Sequence, residues 1–120
     1  MENDYALDWL GDLEEQPELA TVTIVLSEAA SADDYLDADT GAAALVAAEL
    51  VAAALGRSSE ERLKALVEAL PGLRDHLGLA AQAVDRVADG EHSELTDLWT
   101  EDGPNEDWDR VLADLRARLN

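Results

Sequence analysis

Apolar side chains recur along this chain at helical spacing, in segments separated by proline, glycine and acidic turns. Asn3-Asp4 reads as a helix start, and Ala6, Trp9, Leu10 and Leu13 follow at i, i+3, i+4 and i+7. Pro17 suits the first position of a second helix, in which Val22, Val25, Leu26 and Ala29 share a face. The β-branched run from Thr21 to Leu26 also suits a strand, but no other segment offers it a pairing partner, so a helix is preferred. Ser31 with Asp34 reads as a capped short turn into Tyr35-Leu36, and Asp37 to Gly41 as a polar connector.

Gly41 to Leu55 is apolar almost all round, with Leu45, Val46, Leu50, Val51 and Leu55 as its larger side chains and Gly56 as a stop. Such a helix belongs at the centre of a fold. Ser58 and Glu61 have the spacing of a capping box ahead of Leu63, Leu66, Val67 and Leu70, and Pro71-Gly72 ends that helix. Leu73, Leu77, Ala81, Val84 and Val87 predict a fifth helix before Gly90, and Ser93 caps a short sixth carrying Leu95, Leu98 and Trp99. After Gly103-Pro104, a last helix carries Trp108, Val111, Leu112, Leu115 and Leu119, with acids near its start and Arg116 and Arg118 near its end, complementing the helix dipole. The pattern predicts an all-α, compact single-domain bundle over residues 1–120, with six or seven helices around the alanine-rich helix.

Composition supports folding: 48% of residues are hydrophobic, too many for intrinsic disorder despite a net charge of -20. That charge is uneven. Met1 to Gly56 holds 13 acids and no base, whereas from Arg57 onward 15 acids face 8 bases. The chain has no cysteine, which excludes disulfides, thiolate metal sites and cysteine nucleophiles. The N-terminus lacks the basic and apolar regions of a secretory signal, and Glu49 interrupts the longest apolar stretch, which is shorter than the roughly 20 residues of a spanning helix. A cytoplasmic location is the expectation, with no membrane association.

Three segments resemble the family called domain of unknown function 4259. They are Asn3-Asp4-Tyr5-Ala6-Leu7-Asp8-Trp9-Leu10-Gly11-Asp12-Leu13; Tyr35-Leu36 with Ala43 to Ala53; and Ser93-Glu94-Leu95-Thr96-Asp97-Leu98-Trp99 with Trp108 and the closing Leu115-Arg116-Ala117-Arg118-Leu119. Members usually carry a Gly-Trp-Gly segment before the Asn-Asp pair, which this sequence lacks. The resemblance implies a compact helical fold and brings no catalytic residues with it.

Asp4, Asp8 and Asp12 lie one helical turn apart, roughly 6 Å each along the axis, and with Glu15 they are the candidate partner-binding residues. The plainer account of this stripe is a solvated face. A divalent metal there would lack histidine or a glycine-centred loop, and the acids Asp33, Asp34, Asp37 and Asp39 lack the distal glutamate of a calcium loop. No cofactor is called for, and no catalytic or metal centre is expected.

His76 and His92 have no partner that spacing can place, Ser58 and Ser93 occupy cap positions, and no Gly-x-Ser-x-Gly elbow occurs. Trp9, Trp99 and Trp108 read first as core residues and second as interface anchors. Glu49 is the one acid-base candidate, the plainer reading being a surface position or a pair with an arginine such as Arg57 or Arg62. No phosphate loop or basic patch is present, and direct nucleic-acid binding is disfavoured by charge.

The leading expectation is a non-enzymatic acidic module that binds a basic protein, such as a nuclease, as an inhibitor or immunity-type antagonist. The alternatives are a helical housekeeping protein adapted to salt, suggested by the single lysine, Lys64, and a hydrolase using carboxylates.

Overall fold

The computed structural model of the chain describes residues 4–58, 60–89 and 91–119. Among them run seven α-helices: α1 (Asp4–Glu15), α2 (Leu19–Ala30), α3 (Ala38–Ala54), α4 (Glu61–Ala69), α5 (Leu77–Val87), α6 (Glu94–Trp99) and α7 (Glu106–Arg118). A 3-10 turn, Leu73–His76, leads into α5. No strand occurs among the described residues, and Thr21 to Leu26 lies within α2. Asn3 and Gly90, expected to bound α1 and the fifth helix, lie outside the described residues.

Helix α3 is the hub, packed against α1, α2, α4, α5, α6 and α7. A helix covered on every side must be apolar all round, and close neighbours on every side favour small side chains. Eleven α3 residues are buried, seven of them alanine. The α1 stripe buries Ala6, Leu10 and Leu13, and α2 buries Val22, Val25, Leu26 and Ala29.

Several boundaries differ from the sequence expectation. Pro17 follows the end of α1 and precedes an extended Glu18 at the start of α2, so its ring closes the earlier helix where it was expected to open the later one. Ser31 ends α2 where a capped turn was expected, its hydroxyl donating to the Ser27 carbonyl at 2.6 Å. The connector Asp37 to Gly41 is instead the start of α3, because the Asp37 side chain accepts the Thr40 amide at 3.0 Å. The Ser58 and Glu61 box does not form: Glu60 is the N-cap of α4, and Ser58 Oγ accepts the Glu60 amide at 3.3 Å. Ser93 caps α6 as expected, through the Thr96 amide, and Asn105 caps α7.

The segment before α3 is tied to the one before α6 by a short parallel bridge: Leu36 N donates to His92 O at 2.8 Å, and Glu94 N donates to Leu36 O at 2.9 Å. Arg86 braces the same junction by donating to the carbonyls of Ala32, Asp34 and His92. A guanidinium is suited to this because it offers five donors in a rigid fork.

Candidate functional site

The acidic stripe of α1 faces solvent. Asp8, Asp12 and Glu15 are exposed on the side away from Ala6, Leu10 and Leu13, and they enter no ion pair among the described residues. The Asp4 side chain lies outside the described residues. Among the described residues no group of three or more His, Asp or Glu is arranged to hold a metal ion.

Beside this stripe, α1, α3, α4 and α7 enclose an open groove of about 480 Å³. Leu10, Leu45, Val46, Leu63 and Leu115 form its apolar floor, and Leu7 and Val111 stand at its sides. Both side residues are large hydrophobics left about half exposed, Leu7 at 50% and Val111 at 49%. Val111 was expected on the buried stripe of α7, but Trp108, Leu112, Leu115 and Leu119 fill that role and Val111 falls at its edge. Leu7 was not singled out by the sequence reading, although an apolar residue outside the α1 stripe is a signal that could have found it.

Charged groups edge the groove. Arg118 donates to both oxygens of Glu49, with Nη2 to Oε1 at 3.1 Å, and its Nε donates to Asp114 at 3.0 Å. The Arg118 and Glu49 side chains are only 26% and 24% exposed, so this pair is partly shielded from water. The hydrogen bonds it donates to Glu49 hold the Arg118 guanidinium above its ordinary pKa. Glu49 therefore pairs with an arginine as expected, but the partner is Arg118 where Arg57 or Arg62 was the example, because the last turn of α7 delivers Arg118 to it. Arg57 and Arg118 each donate to the other's backbone carbonyl, at 3.1 and 3.2 Å. Arg62 meets Glu14 at 2.8 Å, and its hydrogen bond holds the Glu14 carboxyl below the usual carboxylate range. Glu60 lines the same groove, is exposed, and enters no ion pair among the described residues.

A second cluster surrounds α6. Trp108 is buried, and its indole N–H donates to Thr96 Oγ1 at 3.2 Å while that hydroxyl donates to the Val87 carbonyl at 2.6 Å. Trp99 stacks on Trp108 with ring centroids 5.2 Å apart and planes 3° from parallel. Contrary to the core expectation, Trp99 and Leu98 are exposed, because six residues of helix present only one narrow face to the bundle. The Tyr35 hydroxyl donates to Asp97, which pushes the phenol pKa up to about 12. His92 Nδ1 lies 3.1 Å from Asp89, whose carboxyl is held below its ordinary pKa first by the Glu91 backbone amide and then by His92. His76 is half-buried at the start of α5.

This helical bundle, with an acidic helix face and an apolar groove, belongs to a family of unknown function. The chain is a member of the family described as Domain of unknown function (DUF4259), whose model matches residues 1–111. The closing segment Leu115 to Leu119, which also carried part of the resemblance, lies beyond that match. No curated protein and no solved structure matches the chain.

Proposed function

We propose that this chain is a non-enzymatic protein-binding module whose acidic α1 face docks a basic partner, as an inhibitor or immunity-type antagonist of a nuclease does. The supporting observation is that α1 keeps exposed carboxylates with no basic neighbour among the described residues. Arg62, Lys64, Arg110, Arg116 and Arg118 pair with Glu14, Glu61, Asp107, Asp85 and Glu49, and Arg86 is engaged by backbone carbonyls. Asp8, Asp12 and Glu15 have no such neighbour among the described residues. Uncompensated carboxylates on one exposed helix attract a basic surface, steer its approach and make the rate of encounter fall with salt.

A hydrolase is the weaker reading, since Glu49, its acid-base candidate, is taken up by Arg118. The test compares the immobilised wild-type chain with the triple variant Asp8→Asn, Asp12→Asn, Glu15→Gln. The expected result is a basic protein retained by the wild type at low salt, released at high salt, and retained less by the variant. Retention of no basic protein, or equal retention by both chains, would count against the proposal.

A further inference from the structure

Leu7 and Val111, both about half exposed, line one groove together with Leu10, Val46 and Leu63, so exposed apolar surface lies at the groove next to α1. Large hydrophobics bordering a pocket on an otherwise charged surface mark interaction sites more often than singly scattered ones do. The volume, about 480 Å³, is within the range of clefts that enclose ligand side chains.

Charge chooses among the occupants. The arginines at the groove, Arg62 and Arg118, are already met by Glu14, Glu49 and Asp114, while Glu60 has no base among the described residues. The uncompensated charge at the rim is therefore negative. A second copy of the chain would bring another net charge of -20 to this surface, and a nucleic acid or anionic lipid surface is repelled for the same reason.

We infer that the groove between α1, α3, α4 and α7 takes an amphipathic basic helix of the partner. Its apolar row packs against Leu7 and Val111, and its lysines or arginines meet Glu60 and the acids of α1. This is recognition of a helix in a groove, in which apolar anchors give affinity and flanking charges set orientation. The inference rests on the proposal of a basic partner and adds which surface anchors it.

The probe is a labelled synthetic helix of leucine and lysine with its leucines on one face, compared with a peptide of the same composition whose leucines are scattered. Binding to the whole chain is read by fluorescence anisotropy, with circular dichroism verifying the fold of each variant. The one-faced peptide is expected to bind at least tenfold more tightly than the scattered one. Leu7→Ser with Val111→Ser is expected to weaken it about tenfold or more, from lost apolar burial alone, because both side chains are already half exposed. Glu60→Gln is expected to weaken it by a smaller factor.

Equal binding of the two peptides, or an unchanged affinity in the Leu7 and Val111 variant, overturns the inference. So does a dimer in sedimentation that Val111→Ser abolishes, since a second copy would then fill the groove. The triple α1 variant separates the two proposals. If it weakens the peptide while the Leu7 and Val111 variant does not, the acidic face stands and the groove falls; the reverse result keeps the groove and removes the acidic face.

Discussion

Tyr35 and Asp97 join two segments 62 residues apart in sequence, and the hydrogen bond between them favours the protonated phenol. The folded-state pKa of about 12 lies above the ordinary value of 10.0, so the native state holds this proton more tightly than the unfolded chain does. The corresponding stability is fully present below pH 10 and is lost as pH rises through about 12. In a Tyr5→Phe background, where Tyr35 is the remaining tyrosine, absorbance titration should place its ionisation near 12, and Asp97→Asn should bring it down. A midpoint unmoved by Asp97→Asn would contradict the contact. The α3 acid Glu49 illustrates the same scale: its interruption of an apolar helix was plain in the sequence, whereas its partner 69 residues away was not.

Helix α7 packs on α5 and α3 through an apolar stripe that includes Leu112. Removing most of a buried leucine side chain forfeits its transfer energy and leaves a cavity, so Leu112→Ala should cost about 2 to 5 kcal/mol in denaturant unfolding. Asp8 lies on an exposed helix face within a turn of Asp12, and like charges at that spacing repel. Asp8→Asn should therefore be neutral or slightly stabilising. Wild-type stability in the first variant together with unfolding in the second would contradict both helical registers. The stripes of α1 and α2 were legible because burial follows the helical period. The starts of α3 and α4 were misread because several serines and aspartates nearby have capping chemistry, and only the backbone path decides which of them meets an amide.

At the scale of the whole molecule, self-repulsion opposes compaction. The radius of gyration, 13.3 Å, is nevertheless close to the roughly 13.6 Å expected of a compact chain of this length. A core built around α3 holds together against a net charge of -20. Screening should relieve part of that repulsion, so the thermal midpoint is expected to rise from low salt to molar KCl. A midpoint that does not change would mean that the folded and unfolded states feel the charge equally. No helix among the described residues is long and apolar enough to cross a membrane.

The helical class, the central position of the alanine-rich segment and the acidic bias of the first half were all readable from order and period alone. Each is a property of neighbours along the chain: periodicity shows which face is apolar, and charge is counted without knowing where it lies. The groove was decided by tertiary structure. Leu7 comes from α1, Val111 from α7 and Glu60 from the N-cap of α4, and no spacing relates them. Helix packing brought them to one surface and left all three without cover, while it sent Arg118 to Glu49 and Arg62 to Glu14. Which charges cancel and which remain for a partner depends on distances across the bundle, and those exist only once the chain has folded.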